Sequence, residues 1–175
     1  HNGLQTLILR PRQLLSAELS PRNALAKMLT YKKFIDTDNS CTIVSDLLVA
    51  TEKLIEKRAT GIFNIVNSGV TSPYKIALKL REIIKPEMEI TKITKDELNA
   101  MTFAQRIDAV LTTTKLESVG ITLPPIESRL TEIILELKKN LDSGLGTEVM
   151  QRVASDTAHK LTLKVPSPVL YSQSS

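Results

Sequence analysis

The sequence has very little of the residue types on which common catalytic and metal sites depend. It contains one cysteine, two histidines and no tryptophan, and aromatic residues make up 3% of it. The single cysteine, Cys41, cannot form an internal disulfide or a cysteine-based metal site, so a reducing compartment, the cytoplasm, is expected. Because the histidines stand only at positions 1 and 159, we also expect neither a histidine-dependent catalytic triad nor a metal site.

Two longer patterns are also absent from the sequence. No apolar run approaches the roughly 20 residues that a membrane-spanning helix requires, and no Gly-rich phosphate loop follows a strand-like segment. The 23 basic and 19 acidic residues alternate along the chain instead of forming basic clusters. Because few aromatic side chains are available to stack on bases, we expect neither a nucleic-acid partner nor a membrane partner.

The sequence does contain an alternation of strand-like and helix-like segments. Short apolar runs at 6–10, 42–44 and 61–66 are each followed by residues with helical periodicity. The clearest helical stripes are Ile76, Ala77, Leu80, Ile83 and Ile84, and Ile126, Leu130, Ile133, Ile134, Leu137 and Leu141. Strands separated by helices pair in parallel, because a crossover between parallel strands takes a dozen or more residues. The predicted fold class is therefore α/β.

Capping residues predict where the helices begin. Ser20-Pro21 and Ser72-Pro73 each place a serine at the N-cap and a proline in the first turn. Ser45 is the predicted cap of another helix, which should bury Leu47, Leu48, Thr51, Leu54 and Ile55. Thr94 and Thr114 each open a Thr-x-x-Glu capping box.

The character of the sequence changes beyond Leu141. Residues 143–146 are typical of a flexible break, and the last ten residues are polar and contain proline. Residues 142–175 are therefore expected to form a tail of uncertain structure. The two alternatives are a loosely ordered segment and a single strand in which Leu161, Leu163 and Val165 alternate.

Polar residues at the ends of apolar elements are the candidate ligand contacts. Residues 10–13 follow a predicted parallel strand, at the edge where open α/β sheets bind ligands. Arg22 and Asn23 open a helix, whose N-terminus offers N–H groups to an anion. Arg106 lies in a segment poor in charge. Each candidate also has a structural interpretation, such as a helix-start hydrogen bond for Asn23 or a local ion pair between Arg106 and Asp108.

These same segments resemble a known protein family, the extended short-chain dehydrogenases/reductases, in their C-terminal half. The resemblance spans about residues 4–140 and is similar above all to the nucleotide-sugar reductases, such as dTDP-4-dehydrorhamnose reductase and UDP-4-keto-6-deoxyglucose 3,5-epimerase/4-reductase. The matching motifs, in order, are Leu9-Arg10-Pro11-Arg12, Ser20-Pro21-Arg22-Asn23, the run from Gly61 to Val70, and Arg106 followed by Thr114-Lys115-Leu116.

The resemblance implies that residues 1–141 are the C-terminal, substrate-binding part of this fold. That part consists of the end of a Rossmann-like parallel sheet and a small helical substrate-binding lobe. The family carries its Gly-rich loop and its catalytic Tyr-x-x-x-Lys in the N-terminal half, and this sequence contains neither. Because the chain also starts at His1 without a methionine, we expect a fragment that holds no catalytic residues of its own.

The resemblance also implies roles for individual residues in the full-length parent. Arg22, Asn23 and Arg106 match positions that contact the nucleotide diphosphate of the substrate. Pro11, Arg12 and Gln13 match the loop beside the nicotinamide of NADP or NAD. The implied partner is a nucleotide-diphosphate sugar of the 4-keto-6-deoxy, rhamnose type, and the implied reaction is reduction of its C4 ketone. The resemblance also allows a homodimer of the parent.

Two alternatives stay open at this point. The regulatory β subunit of methionine adenosyltransferase resembles the same reductases, so a non-catalytic binding subunit is the alternative of a different class. Eroded cofactor and catalytic motifs upstream would favour that subunit, and intact ones would favour the enzyme. The third hypothesis is a fragment without stable function, because two sheet strands alone would leave a long unpaired edge.

Overall fold

The structure of the chain, a computed structural model, describes residues 6–100, 108–143 and 146–162, with the last four as backbone only. In chain order the elements are β1 (Leu7–Pro11), β2 (Leu14–Leu15), α1 (Ala24–Met28), β3 (Lys33–Ile35), β4 (Thr42–Ile43), α2 (Val44–Glu56), β5 (Gly61–Ile65), α3 (Pro73–Ile83), β6 (Thr91–Ile93), α4 (Lys95–Ala100), α5 (Thr114–Ser118), α6 (Ile126–Leu141) and α7 (Gly146–Thr162). This mixture of strands and helices confirms the α/β class.

The strand pairs in the described residues are parallel, as the crossover argument predicts. β1 pairs with β5, β2 with β4, and β3 with β6. One face of the β1–β5 pair packs against α2 and α5 through Phe63, Leu54 and Leu116. On the opposite face Ile8 and Ile62 are 45% and 48% exposed. The β1–β5 pair is therefore covered on one face and open on the other.

A second and larger core lies between α3 and α6 and extends to α1 and β3. The predicted stripes of α3 and α6 are confirmed, because their apolar residues are buried together in this core. Leu25 of α1, Leu29 just after α1 and Phe34 of β3 belong to the same cluster. The segment that follows β2, which contains α1 and β3, is thus fixed to α3 and α6 through apolar packing.

Two of the predicted helix starts are confirmed. Ser72 accepts a hydrogen bond from the Lys75 N–H (3.1 Å) and so caps α3, with Pro73 in its first turn. The Thr94 N–H donates to Oε2 of Glu97 (2.7 Å), and the Glu97 N–H donates to the Thr94 hydroxyl oxygen (3.2 Å). This reciprocal pair is the capping box that the sequence predicts for α4.

The predicted start of α1 is wrong by three residues. Ser20-Pro21 does not cap the helix, and Pro21 lies in a turn. α1 begins at Ala24, because the side chain of Asn23 accepts a hydrogen bond from the Ala26 N–H (3.1 Å). An amide oxygen at this position satisfies a helix N–H that would otherwise have no partner in the first turn.

The predicted start and buried face of α2 also need correction. The helix begins at Val44, and the hydroxyl of the predicted cap, Ser45, instead accepts a hydrogen bond from Arg129 (3.0 Å). Leu48 and Ile55 are 64% and 63% exposed. The buried face that packs toward β5 contains Ala50 and Leu54, the latter as predicted, and Asp46 is also buried near its start. This face is rotated from the prediction because Asp46 turns inward to pair with Arg129.

The predicted capping box at Thr114 is displaced by one residue. α5 begins at Thr114 itself, so Thr113 is the N-cap residue. The Thr113 hydroxyl donates to Oε1 of Glu117 (2.6 Å). Gly120, two residues after α5, has a positive φ of 77°, the left-handed conformation that ends helices.

The tail differs most from expectation, because Gly146–Thr162 forms α7, a helix of 17 residues. Val153 of α7 is fully buried, and α7 packs on α1 and α6. The alternation that suggested a strand begins at Leu161, which lies in the helix, while residues 163 and 165 lie outside the described residues. Tertiary packing therefore determines the structure here. None of the helices described by the structure has the length and apolar character needed to span a membrane.

Candidate functional site

A cavity of about 400 Å³ opens between α1, β2 and β3. Much of its wall is apolar or aromatic and includes Tyr31 and Phe34. Three cationic side chains, those of Arg22, Lys27 and Lys33, also line it, and none of the described residues that line it is a carboxylate. An apolar wall with convergent cations suits an anionic ligand that also carries a flat, weakly polar group.

Asn23 determines how the wall of this cavity is built. Its Nδ2 donates to the carbonyl oxygens of Ser16 (2.8 Å) and Glu18 (2.7 Å), while its Oδ1 caps α1. The residue is 6% exposed, so both ends of its side chain are committed to the backbone. Asn23 thus fixes the loop from β2 to α1 and sets the place of Arg22. This is the structural interpretation of Asn23, and its contact with a substrate stays a prediction.

Pro11 and Arg12, the first two residues of the predicted cofactor loop, are held against neighbouring strands. Pro11 is the last residue of β1 and lies opposite Ile65 of β5. The Arg12 N–H donates to the Thr42 hydroxyl oxygen (3.0 Å), and Nη2 of Arg12 donates to Oδ1 of Asn39 (3.2 Å). The loop is therefore attached to the start of β4 and to the segment that precedes it.

Gln13 completes this loop and reaches the cavity. Its φ of 41° lies in the left-handed region, which costs a residue with a Cβ some strain. Its Oε1 accepts a hydrogen bond from the thiol of Cys41 (3.2 Å). The structure brings Gln13 and Arg22 to the same cavity, whereas Pro11, Arg12 and Asn23 are not among the described residues that line it.

Arg106 lies outside the described residues, so its predicted contact with a diphosphate stays a prediction. Asp108, its partner in the structural interpretation, is close to the site. One Asp108 oxygen accepts a hydrogen bond from Nδ2 of Asn39 (3.1 Å), and the other lies 3.2 Å from Nζ of Lys95.

Sequence reasoning missed Asn39, which is almost fully buried and connects two loops. Its Oδ1 accepts from Arg12 and from the Ala109 N–H (3.0 Å), while its Nδ2 donates to Asp108 and to the Thr37 carbonyl (3.2 Å). Asn39 therefore joins the loop after β1 to the segment that begins at residue 108. No sequence pattern marked it, because an asparagine in a short loop is ordinary until its burial is known.

The other residues that were missed are the remaining cations and rings of the cavity. Lys27 lies on α1, and Tyr31, Lys33 and Phe34 lie on or beside β3. Of these, Lys27 could have been predicted, because it stands four residues after Asn23 and so lies one helical turn along the predicted helix. The position of β3 depends on its pairing with β6, which the sequence only weakly indicates.

An ion pair lies next to the cavity, where β3 meets α3. Oδ2 of Asp36 is 2.7 Å from Nζ of Lys92, and Oδ1 accepts a hydrogen bond from the Ser72 hydroxyl (2.6 Å). The hydrogen bond from Lys92 and then that from Ser72 lower the pKa of Asp36 below its ordinary value. Asp36 is therefore ionised at neutral pH and joins the end of β3 to the cap of α3.

The described residues do not make a complete site for a dinucleotide such as NADP or NAD. The loop after β1 contains no glycine that would let a pyrophosphate approach the backbone, and the side chains of Arg12 and Gln13 already bind Asn39 and Cys41. These residues could border a cofactor but do not cradle its phosphates. Within the described ranges, no group of three His, Cys, Asp or Glu side chains is arranged to hold a metal ion.

Comparison with known proteins identifies several curated relatives, among them a plant and a viral protein, although no protein-family model matches the chain. The chain is 32% identical over 135 residues to the bifunctional dTDP-4-dehydrorhamnose 3,5-epimerase/dTDP-4-dehydrorhamnose reductase of Arabidopsis thaliana, a match that covers 77% of this chain and 45% of the relative. It is 29% identical over 132 residues to protein L780 of Acanthamoeba polyphaga mimivirus, a match that covers 75% of this chain and 46% of the relative. The chain thus spans about half the length of these two relatives.

Solved structures agree with the sequence comparison. The crystal structure of the mimivirus L780 UDP-rhamnose synthase has a TM-score of 0.68 and 28% identity, over 74% of this chain and 45% of that one. The dTDP-4-dehydrorhamnose reductase of Bacillus anthracis, solved in complex with NADP, has a TM-score of 0.58 and 21% identity, over 74% of this chain and 48% of that one. At this identity the match shows a similar fold and nothing more. The chain is therefore a homologue of nucleotide-sugar reductases of the rhamnose type, with a Rossmann-like fold, and the predicted resemblance is confirmed.

Proposed function

We propose that this chain is the substrate-binding portion of an NAD(P)-dependent nucleotide-sugar reductase/epimerase that acts on a 4-keto-6-deoxy sugar nucleotide of the rhamnose type. The observation that carries this proposal is the cavity that Arg22, Lys27 and Lys33 line beside an aromatic wall. A nucleotide-diphosphate sugar combines a doubly charged diphosphate with a flat base. The cavity offers cations for the first and apolar surface for the second.

The residues of the cavity divide between these two parts of the ligand. The guanidinium of Arg22 and the ammonium groups of Lys27 and Lys33 would bind the diphosphate, with Arg106 as a further contact. Tyr31 and Phe34, whose ring centroids are 6.5 Å apart, would pack against the base. Asn23 would act mainly by holding α1 and Arg22 in place.

In this proposal residues 1–141 form the C-terminal, substrate-binding part of the parent enzyme, and residues 142–175 are an extension that begins before α7. NADP or NAD would be held mainly by residues outside this chain, with Pro11, Arg12 and Gln13 at its border. The cofactor, when bound, supplies the hydride. The described residues of this chain would bind and orient the sugar nucleotide in a cytoplasmic enzyme, without a membrane or nucleic-acid partner.

The alternative is a non-catalytic binding subunit like the regulatory β subunit of methionine adenosyltransferase. The relatives favour the enzyme over this alternative, because the named activities of the Arabidopsis and mimivirus proteins are those of a reductase, an epimerase and a UDP-rhamnose synthase. The cavity also favours the enzyme, since a cavity lined by cations and apolar side chains is not required for docking a protein.

The proposal is tested by titrating UDP and dTDP into the 175-residue chain in a calorimeter. We expect saturable binding of at least one nucleotide, and we expect Arg22→Ala and Arg106→Ala each to weaken it about tenfold, or about 1.4 kcal/mol. Arg81→Ala is the matched control, because Arg81 is exposed on α3 and does not line the cavity. The proposal fails if the folded chain binds neither nucleotide at millimolar concentration.

A further inference from the structure

α7 contacts the same short helix that forms one wall of the cavity. Val153 of α7 is fully buried, and the hydroxyl oxygens of Thr157 on α7 and Thr30, just after α1, are 3.2 Å apart. On α1 itself, Lys27 and Met28 line the cavity. α1 is therefore held between the cavity on one side and α7 on another.

α1 depends on its neighbours for its position. It contains five residues, and isolated helices shorter than about 12 residues are marginally stable in water. Asn23 fixes its start by capping. At its end, the Thr30 hydroxyl donates to the Lys27 carbonyl (2.7 Å) and meets Thr157 of α7. The two ends of α1 are thus fixed by different parts of the chain.

A glycine lies at the close approach between the start of α7 and the end of α6. A Cβ atom at Gly146 would overlap the backbone carbonyl group of Leu141, the last residue of α6. The Gly146 N–H also donates to the carbonyl of Ser143 (2.8 Å). Because α6 forms part of the larger core and α7 packs on both α6 and α1, α7 connects that core to α1.

We propose that α7 is a positioning element for the nucleotide-sugar cavity. Through the packing of its buried face, which includes Val153, and through the contact of Thr157 with Thr30, it holds α1, and so it fixes Lys27 and Met28 where they meet the ligand. This inference rests on the proposed function for the identity of the ligand. If docking of α7 raises the affinity for the ligand by some factor, the bound ligand must favour the docked position of α7 by the same factor, because the two equilibria are linked.

The test uses hydrogen exchange and UDP titration on the whole chain. Val153→Ala removes a buried packing contact, and Thr157→Val removes the hydroxyl while it keeps the shape of the side chain. Arg152→Ala is the matched control, because the Arg152 side chain is 67% exposed on the same helix. The amides of β5, in the other core, serve as an internal reference.

We expect the amides at the end of α1 to exchange at least threefold faster in both variants, with β5 unchanged. We also expect UDP affinity to fall three- to tenfold, with Arg152→Ala like the wild type. UDP bound to the wild type should slow the exchange of α7 amides, a reciprocal effect that a purely structural helix would not show.

Three results would overturn the inference: unchanged α1 exchange in both variants, equal acceleration of α1 and β5 in Thr157→Val, or faster α1 exchange with unchanged UDP affinity. Failure of the proposed function looks different. In that case the wild type binds no nucleotide, while faster α1 exchange in the variants would still support α7 as the element that holds α1.

Discussion

Arg129 on α6 donates a hydrogen bond from Nε to Oδ2 of Asp46 on α2 (3.0 Å), across 83 positions of the sequence. The same carboxylate oxygen accepts a hydrogen bond from Nδ2 of Asn67, in the loop after β5 (2.6 Å). Arg129 also contacts Glu132 and Ser45. Because α6 belongs to the larger core and α2 to the smaller one, this pair joins the two cores.

Loss of this carboxylate is expected to destabilise the chain. Asp46→Asn should lower the free energy of unfolding by about 2 kcal/mol, because it leaves the guanidinium of Arg129 and the amide of Asn67 with a weaker acceptor. Urea denaturation followed by circular dichroism measures the change. Glu89→Gln is the control, since Glu89 pairs with Lys32 where both side chains are 72% exposed, and this change should leave the stability close to that of the wild type. An Asp46→Asn variant as stable as the wild type would show that the two cores need no such link.

The Asp36 carboxylate predicts a dependence of stability on pH. Its pKa in the folded chain is lowered, first by the hydrogen bond from Lys92 and then by that from Ser72. A lowered pKa in the folded state means that the stabilisation is present above the unfolded pKa of about 4 and is lost as the pH falls through the lower folded value.

We therefore expect wild type to be more stable than Asp36→Asn at pH 7 and the difference to shrink steadily below pH of about 4. Thermal unfolding of both proteins from pH 7 down to the acid limit of the folded state measures this. Asp142→Asn, at the exposed end of α6, serves as the control. A difference that stays constant across this range would contradict the role of the charge.

Asn23 gives a prediction that separates cavity shape from cavity charge. Asn23→Ala should cost about 1 to 2 kcal/mol of stability through the lost cap, and it should weaken UDP binding because the loop that carries Arg22 is no longer fixed. Asn23→Asp keeps an acceptor for the Ala26 N–H but faces the carbonyls of Ser16 and Glu18 with a charge, so it should not restore binding.

Measurement of unfolding and UDP affinity on the same samples distinguishes the two effects of Asn23. Thr113→Ala is the control, because Thr113 is an N-cap residue whose side chain makes no capping hydrogen bond. If Asn23→Ala binds UDP as tightly as wild type, the arrangement of this loop is not what positions the site.

The loop after β1 predicts how the chain responds to a cofactor. Because its arginine and glutamine side chains are already hydrogen-bonded and the sequence has no Gly-rich loop, titration with NADPH should leave the cofactor fluorescence unchanged. The comparison is a titration of the same sample with UDP, which should give a calorimetric signal. Saturable fluorescence at micromolar NADPH would mean that the dinucleotide site has been misplaced.

Much of the fold could be predicted from the sequence where the pattern within a single element determines its structure. α3 and α6 were predictable because a full stripe of apolar residues and a proline at or near the start agree with each other. β1 and β5 were predictable because short apolar runs end at Pro11 and begin at Gly61. In each case local propensity and tertiary packing favour the same result.

The mispredicted parts are those whose structure depends on a residue that is distant in the sequence. The buried face of α2 turns toward Arg129, 83 positions from Asp46, and α7 is a helix because α1 and α6 lie under it. The candidate site shows the same division. Motif positions pointed to Arg22 and Gln13, which the structure places at the cavity, although their contacts with a ligand stay predictions. Lys33 lines the cavity, and Asn39 holds the neighbouring loops, only through pairings that no local pattern reveals.

Cys41 has a practical consequence for studying this chain. It is the one thiol in the sequence, it is fully buried, and it donates its hydrogen bond to Gln13 at the edge of the cavity. A thiol reagent can reach it only when the surrounding structure opens. The rate of alkylation at Cys41 therefore reports, without any added label, how often the structure beside Gln13 opens and how far a bound nucleotide slows that opening.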